Sequence, residues 1–245
     1  MAVPPLLTLS AGVRIPQLAY DLAGLPEPEV MKAVRTALEV GYRAFEVTGE
    51  ADLADSDVPR EDLFVATRPS VHGYDAVLRA FEGRSGFDLV LLPGLGADFV
   101  GTWRALVRLR EEGQARAIGV ADLPESALRR LIEETGVVPA LHQVELHPWR
   151  QQVPLREFHR ERGIVTAASS PLGSGSLLAD ETVTALAAKY GKTPAQIVLR
   201  WHLQLGTVAV LRAEQAATSR IREHLEITDY ELADDDLVVL AELDG

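Results

Sequence analysis

Short apolar segments that alternate with amphipathic helical segments are the feature of this sequence that most limits its fold. A run such as Asp88–Leu92, Asp-Leu-Val-Leu-Leu, has no polar alternation after its first residue, which is typical of parallel strands covered on both faces. Segments such as Glu29–Val40 place apolar residues at helical spacing between these runs. The pattern therefore predicts a series of βαβ units. The predicted strands are Ile15–Asp21, Arg43–Thr48, Phe64–Thr67, Asp88–Leu92, Ala117–Ala121, Ala140–Leu146, Ile164–Ala168 and Val208–Leu211.

The positions of glycine favour the same architecture. A left-handed glycine commonly ends a helix. Glycine falls between a helical segment and the next strand at five places, which are Gly41, Gly113, Gly136, Gly163 and Gly206. Eight strands in 245 residues favour a closed (β/α)8 TIM barrel over an open sheet, because such barrels need about 250 residues. We therefore expect an α/β protein with a single domain over residues 1–245.

Composition excludes several classes of function. The net charge of −12 argues against non-specific binding to nucleic acid or to an anionic membrane. The absence of cysteine excludes disulfides, thiolate metal sites and cysteine nucleophiles, and no His, Asp or Glu set has a recognised metal-ligand spacing. The sequence has neither a signal-peptide pattern nor an apolar run long enough to span a bilayer. We therefore expect a cytoplasmic protein without a metal, whose partner is a small-molecule substrate.

Several short motifs occur in the order found in one known family. The most specific are Gln143–Pro148, which reads Gln-Val-Glu-Leu-His-Pro, and Leu199–Gln204, which reads Leu-Arg-Trp-His-Leu-Gln. The others are Ile15–Leu18, Gly41–Arg43, Val58–Phe64, Ile118–Val120, Val138–Ala140, Ser170–Gly173 and Gly191–Gln196. Over nearly its whole length, the chain resembles the aldo-keto reductase family. The resemblance implies a barrel that reduces carbonyl compounds with NADPH, using an Asp, a Tyr, a Lys and a His around the substrate oxygen.

The four catalytic positions of that family differ here, so the chain resembles a divergent member. Glu46 stands at the position of the Asp, Arg68 at the Lys and Pro93 at the His, and no tyrosine occurs between Glu46 and Arg60. Carbonyl reduction needs a proton donor, and Arg68 cannot be one because guanidinium stays protonated. The segment 49–57 is short for the helix that follows the second strand in the family. The expected barrel is therefore truncated after the second strand, and the uncovered wall would make a homodimer possible.

The positions that hold the cofactor in the family are altered too. Asp122 replaces part of a Ser-Asn pair, Ser169 replaces a stacking tyrosine and Asp21 replaces the glycine of a Gly-Thr pair. Carboxylates at Asp21, Glu46 and Asp122 on one barrel mouth would repel the phosphates of a dinucleotide. We therefore expect no cofactor and no NADPH binding. The vestiges of the former cofactor site would be Gln143, Ser170, Arg212, Arg220 and Arg222.

These departures lead to the hypothesis that the barrel no longer transfers hydride. It predicts an enzyme that acts on a small organic molecule by cofactor-independent acid/base chemistry, such as dehydration, isomerisation or cyclisation. Glu46 would be the acid or base, Arg68 would bind an oxyanion or carboxylate, and Asp122 or Asp21 would assist. The candidate substrate-binding residues are Gln143, Trp149, His72, Tyr74, Tyr20 and Ser169. Two alternatives stay open: a non-catalytic ligand-binding or interaction protein, and a conventional NADPH-dependent carbonyl reductase with a displaced proton donor.

Some of these residues also have purely structural interpretations. Glu46 and Arg68 keep the charge signs of the family's Asp and Lys and could form a buried ion pair without catalysing anything. Asp122 could cap the helix that follows it. His202 lies in a scaffold motif, and strand alternation points His142 away from the barrel axis.

Overall fold

Eight parallel strands close into a barrel, and an antiparallel hairpin precedes it. The structure is a computed structural model that describes residues 4–10, 12–48, 58–213 and 218–244. The hairpin pairs β1 (Leu6–Thr8) with β2 (Arg14–Pro16). The barrel strands are β3 (Leu18–Asp21), β4 (Ala44–Thr48), β5 (Phe64–Arg68), β6 (Phe87–Pro93), β7 (Ala115–Ala121), β8 (Leu141–Glu145), β9 (Val165–Ser169) and β10 (Val208–Arg212). Their order around the barrel is β10, β3, β4, β5, β6, β7, β8 and β9.

Helices connect the strands and cover the barrel. They are α1 (Glu27–Val40), α2 (Tyr74–Ala80), α3 (Phe99–Glu111), α4 (Glu125–Thr135), α5 (Val153–Arg162), α6 (Glu181–Tyr190), α7 (Pro194–Leu205), α8 (Thr218–Glu223) and α9 (Asp234–Ala241). Among the described residues, the 3-10 segments Arg60–Asp62 and Gly173–Ala179 lie between these helices and strands. The apolar faces of the helices and the outward side chains of the strands form a continuous buried layer around the barrel wall.

The predicted (β/α)8 barrel is confirmed, but the prediction that it is truncated after the second strand is wrong. β4 pairs in parallel with β3 on one side and with β5 along its full length on the other. The wall is therefore continuous where the gap was expected, because strand pairing does not depend on how the two strands are connected. The predicted loss of a helix falls on residues 49–57, which lie outside the described residues. The homodimer that followed from it stays a prediction.

The amino-terminal hairpin closes one end of the barrel. Leu9 and Val13 pack in one apolar cluster with interior residues such as Leu89. Gln17 lies between β2 and β3, and its Nε2 donates to two backbone carbonyls at the end of α7, at 3.2 and 3.1 Å. These bonds turn the chain from the hairpin into the barrel, which is why the predicted strand Ile15–Asp21 is divided. The end at which the barrel strands finish is left as the mouth.

Two glycines of the family-like motifs have clear structural reasons. Gly41 ends α1 with a φ of 118°, and its N–H donates to two carbonyls of the last helical turn, so the predicted left-handed cap is confirmed. Gly119 lies in β7 where the barrel interior is tight. A Cβ there would lie 2.6 Å from the carbonyl oxygen of Leu141 and 2.7 Å from Cδ2 of Leu91. Any side chain at this position would push β7 and β8 apart.

A buried carboxylate holds the barrel near the end remote from the mouth. Asp88, close to the start of β6, accepts hydrogen bonds from Arg60 at 2.7 Å, from Arg116 at 2.8 Å and from the backbone N–H of Val65 at 2.9 Å. Its side chain is 2% exposed, whereas those of the two arginines are 43% and 63% exposed. Asp88 is therefore the member of this cluster that would be costly to leave unpaired.

Three histidines of the scaffold, His142, His159 and His202, are buried, and burial favours their neutral form by lowering their pKa values. His142 points away from the barrel axis, as predicted, and its Nδ1 lies 2.9 Å from Nε2 of His159 on α5. Nδ1 of His159 lies 2.8 Å from the hydroxyl of Thr166. Burial lowers the pKa of His142 to about 3 and that of His159 to about 4. His202 is equally buried, and its ring bonds to a hydroxyl and a backbone carbonyl.

Candidate active site

One guanidinium meets two carboxylates at the mouth of the barrel. Arg68 ends β5, and its Nε donates to Oε1 of Glu46 on the neighbouring β4. Nη1 of Arg68 lies 3.8 Å from Oδ2 of Asp122, which follows β7. Burial disfavours the charged form of Arg68, but the surrounding carboxylates outweigh this effect and raise its pKa. The side chain of Glu46 is 5% exposed and that of Asp122 is 60% exposed, so the Glu46–Arg68 pair is the shielded one.

Asp21 is a third carboxylate beside this pair. It ends β3, opposite Glu46 of β4 on one side and Arg212 of β10 on the other. Its Oδ1 accepts a hydrogen bond from the N–H of Ala23 at 2.8 Å. Burial, followed by repulsion from Glu46, raises the pKa of Asp21 to about 6, and the opposing effects of the hydrogen bond, Arg68 and Arg212 are smaller. Asp21 therefore takes up a proton close to neutral pH.

A cavity of about 460 Å³ opens at the same end of the barrel, and its wall includes Arg212, the register partner of Asp21. Its wall includes Tyr20 of β3, Ser170 after β9, Arg212 at the end of β10, and Arg220 and Ile221 of α8. Its size lies within the ~300–1,000 Å³ usual for small-molecule and cofactor sites. A largely apolar wall that carries two arginines suits an organic ligand with phosphate groups, because guanidinium binds phosphate through paired N–H donors.

Part of the cavity wall is not predicted from the sequence. Thr193, the N-cap of α7, lines the cavity together with Glu223 and His224. The hydroxyl of Thr193 accepts from the N–H of Gln196 at 3.3 Å and donates to Oε1 of Glu223 at 2.5 Å. Sequence reasoning identifies Thr193 as a helix start, but it gives no signal that a segment thirty residues later completes the same wall. Burial lowers the pKa of His224, which disfavours the charged imidazolium.

The predicted tyrosines lie away from Arg68. The ring of Tyr20 packs against Tyr42 with centroids 5.4 Å apart and borders the cavity. The hydroxyl of Tyr74 accepts from Nη1 of Arg108 at 3.3 Å, on the outer helices. Within the part of the chain that the structure describes, Arg68 forms no hydrogen bond with a tyrosine. The cluster at the mouth is therefore built from carboxyl and guanidinium groups alone.

The other predicted site residues are dispersed. Gln143 borders a small internal cavity together with Glu46. Trp149 packs beside α6 and donates from Nε1 to Asp180 at 3.1 Å, and His72 is exposed. Ser169 ends β9 and pairs in register with Glu145.

Two further predictions concern Asp122 and the basic residues of α8. The alternative that Asp122 caps the following helix is wrong, because the N-cap of α4 is Pro124 and no side chain caps it. Asp122 instead adopts a positive φ of 51°, in contact with Arg68. Arg220 lines the cavity, whereas Arg222 is exposed on the same helix and is not part of the lining.

Residues 4–10, 12–48, 58–213 and 218–244 show neither a metal-binding cluster nor a membrane-spanning helix. These residues contain no group of three or more His, Asp or Glu side chains that could hold a metal ion. None of their helices is both long enough and apolar enough to cross a bilayer.

The family of this chain follows from its similarity to known proteins. The model of the aldo/keto reductase family matches residues 17–244. The chain belongs to the aldo/keto reductase family. It is 40% identical to an aldo-keto reductase of Mycolicibacterium smegmatis, over 98% of this chain and 94% of the relative. It is 36% identical to methylglyoxal reductase DkgA of Escherichia coli O157:H7, over 100% of this chain and 95% of that relative. A crystal structure of a Gox0644 mutant in complex with NADPH superposes with a TM-score of 0.91, and its sequence is 32% identical. The match covers 99% of this chain and 94% of that one.

These relatives overturn the hypothesis that the barrel has lost hydride transfer. The predictions of a non-redox, cofactor-independent lyase, isomerase or cyclase and of no cofactor are wrong, because this aldo/keto reductase is related to named reductases and to a protein solved with NADPH. The hypothesis rested on the substituted proton-transfer positions, Glu46, Arg68 and Pro93, and on altered cofactor positions such as Asp21 and Asp122. The described residues that line the cavity include none of these five, but they do include Arg212 and Arg220. Substitutions at the five positions therefore leave the cavity wall itself in place.

Proposed function

We propose that this aldo/keto reductase reduces a small carbonyl compound to an alcohol with NADPH. The observation that carries the proposal is a cavity with two arginines at the same end of the barrel as the Glu46–Arg68 pair, with one strand between Arg212 and Glu46. Arg212 of the cavity wall is the register partner of Asp21, which in turn lies opposite Glu46. Family membership and the NADPH complex of a relative support the same conclusion.

The residues of the cavity fit a phosphate-bearing cofactor. Arg212 and Arg220 would contact its phosphate groups, since both lie in the cavity wall with exposed side chains. Asp21, Glu46 and Asp122 do not occur among the described residues that line the cavity. The argument that these carboxylates would repel a dinucleotide treated the whole mouth as one site. Here those three carboxylates surround Arg68, whereas the cavity wall carries two arginines and the carboxylate of Glu223, which already accepts from Thr193.

The chain's own contribution to the reaction would centre on Arg68. When bound, NADPH supplies a hydride to the carbonyl carbon, and negative charge develops on the carbonyl oxygen. The side chain of Arg68 is 25% exposed and is held in place by Glu46, so its guanidinium can bind that oxygen without first being ordered. A fixed cation of this kind stabilises the developing charge. Reduction also needs a group that places a proton on the oxygen.

A small aldehyde or 2-oxoaldehyde is the substrate class that we propose. One relative is a methylglyoxal reductase, and the shielded Arg68 suits a substrate that presents a small polar carbonyl to it. A larger substrate would need an open apolar groove next to Arg68, whereas the described residues nearest to it in the barrel mouth are carboxylates.

Cofactor binding and turnover can be measured separately. We expect purified protein to quench its tryptophan fluorescence on titration with NADPH at micromolar concentration, and to oxidise NADPH when methylglyoxal or a short aldehyde is added. The Arg68→Met variant should bind NADPH as wild type does and lose most of the turnover. Absence of both NADPH binding and carbonyl-dependent NADPH oxidation would refute the proposed function.

A further inference from the structure

Proton donation is the step of carbonyl reduction for which the site has no tyrosine beside its cation. The hydroxyl of Tyr74 bonds to Arg108 on the outer helices, and Tyr20 packs against Tyr42. The guanidinium of Arg68 cannot release a proton at any physiological pH. Among the described residues, the acidic groups that act on Arg68 are the carboxyl groups of Glu46, Asp122 and Asp21, and these are the candidate proton donors.

We propose that Asp21 is the proton donor of this enzyme and that its carboxyl group protonates the carbonyl oxygen of a substrate bound beside Arg68. This inference rests on the proposed function, because it assumes that a carbonyl is reduced at this mouth.

Three carboxylates lie around the guanidinium, and their contacts separate their roles. Glu46 accepts the hydrogen bond from Nε of Arg68 and is buried, so its Oε1 is already bonded to the cation. The side chain of Asp122 is 60% exposed, and its Oδ2 lies 3.8 Å from Nη1 of Arg68. Burial raises the pKa of Asp122, and Arg68 opposes that effect. Asp21 is half-buried and has no cation within salt-bridge distance among the described residues. Of the three, Asp21 is therefore the carboxylate that no described cation pairs with directly.

The free oxygen of Asp21 is available to a substrate. Oδ1 accepts the hydrogen bond from the N–H of Ala23, whereas Oδ2 has no hydrogen-bond partner in the described chain. Asp21 also lies between the two halves of the site, since its register partners are Arg212 of the cavity wall and Glu46 of the ion pair. A carbonyl placed between the cavity and Arg68 would therefore approach Oδ2.

The charges that face Asp21 act in opposite directions. Glu46 on β4 raises its pKa, and Arg68 on β5 and Arg212 on β10 lower it. Burial is the largest effect and brings the pKa to about 6. This value suits a general acid, because a fraction of such groups is still protonated at neutral pH and the proton is released readily.

Hydride transfer to carbon and proton transfer to oxygen together convert the carbonyl compound to an alcohol. The carbonyl carbon gains the hydride with its electron pair from reduced nicotinamide, and the π pair of the carbonyl moves to oxygen. The O–H bond of Asp21 breaks, its electron pair stays on the carboxylate, and the proton forms the new hydroxyl. The products are an alcohol, oxidised nicotinamide and the Asp21 carboxylate, which regains a proton from water.

The decisive variant is Asp21→Asn, because the amide oxygen of Asn can still accept from Ala23 while its amide group is no acid. We expect NADPH binding within about threefold of wild type and a loss of about 10²–10⁴-fold in kcat/KM. In wild type, kcat/KM should be constant below about pH 6 and fall as the pH rises further. That break should be absent in Asp21→Asn and present again in Asp21→Glu. The exposed Asp235→Asn substitution on α9 is the matched control and should leave turnover unchanged.

A readout without cofactor completes the test. Carboxyl 13C NMR of the free protein should show one signal that titrates near pH 6 and disappears in Asp21→Asn. Wild-type turnover and an unchanged pH profile in Asp21→Asn would overturn the inference while leaving the reductase intact. Loss of turnover in Tyr20→Phe together with full turnover in Asp21→Asn would assign the proton to Tyr20 instead. A wild-type protein that neither binds NADPH nor reduces a carbonyl would overturn both proposals.

Discussion

Arg212 of β10 and Asp21 of β3 are register partners at the carboxyl ends of neighbouring strands. Arg212 lines the cavity, and Asp21 belongs to the carboxylates around Arg68. One pair of adjacent residues therefore joins the part of the mouth suited to phosphate with the part suited to proton transfer.

Replacing Arg220 should weaken cofactor binding. Loss of a charge-assisted hydrogen bond costs about 1.5–3 kcal/mol, so Arg220→Ala should raise the Kd for NADPH roughly 10–100-fold. Arg222→Ala is the matched control, because Arg222 is an exposed arginine on the same helix outside the cavity lining. Fluorescence titration measures both. Equal effects of the two substitutions would show that α8 contributes only general charge.

Breaking the Glu46–Arg68 pair should destabilise the fold. Glu46→Gln leaves Arg68 without its buried anion, and we expect the free energy of unfolding to fall by about 2 kcal/mol. Glu112→Gln removes the partner of Arg108 in a pair whose side chains are 52% and 46% exposed, and should cost at most about 0.5 kcal/mol. Urea denaturation gives both values. A Glu46→Gln curve that overlays the control would mean that the mouth relaxes without cost.

Asp88→Asn should separate stability from activity. The substitution removes a carboxylate shared by two arginines and a backbone N–H, and we expect a loss of about 3 kcal/mol in the free energy of unfolding. Because Asp88 lies near the start of β6, remote from the mouth, kcat and KM should not change at temperatures where the variant is folded. Asp62→Asn, on the exposed 3-10 segment, is the control for the charge change. A large change in KM would contradict this division between the two ends of the barrel.

The buried histidines should make the fold sensitive to acid. The pKa values of His142 and His159 are lowered in the folded state to about 3 and about 4 from 6.5, so the unfolded state binds more protons below pH 6.5. The free energy of unfolding should therefore fall as the pH drops from 6.5 towards 4, by up to roughly 1.4 kcal/mol per pH unit for each histidine.

His142→Gln tests this effect, with the exposed His72→Gln as the control. The slope of stability against pH should be shallower in His142→Gln than in wild type and unchanged in His72→Gln. Asp21 titrates in the same pH range, but its effect on stability has the opposite sign because its pKa is raised on folding. Since all three proteins contain Asp21, its contribution cancels when their slopes are compared. Parallel curves for all three proteins would show that His142 is not the group that takes up the proton.

The sequence predicts the barrel and the Glu46–Arg68 pair because both depend on local pattern. Apolar runs define strands, and residues near the ends of neighbouring parallel strands must meet at one face. The expected truncation was wrong because it inferred strand pairing from the length of a connection. The expected loss of NADPH was wrong because it treated Asp21, Glu46 and Asp122 as part of the cofactor site, whereas the described residues that line the cavity do not include them.

Other features could not be predicted because they depend on three-dimensional distance. Thr193 and Glu223 are separated along the chain, and only the fold brings them to one wall. The raised pKa of Asp21 depends on how much water reaches its carboxyl group. Neither the distance between Thr193 and Glu223 nor the hydration of Asp21 produces a periodicity or a motif in the sequence.

The hydroxyl oxygen of Thr193 makes two hydrogen bonds. It accepts from Gln196, which caps the N-terminus of α7, and it donates to Glu223 at the cavity wall. Fraying of the first turn of α7 and opening of the α8 wall are therefore thermodynamically linked. Any ligand that tightens this wall will also slow amide exchange at Gln196, so occupancy of the cavity becomes visible at the start of a helix that is otherwise part of the scaffold.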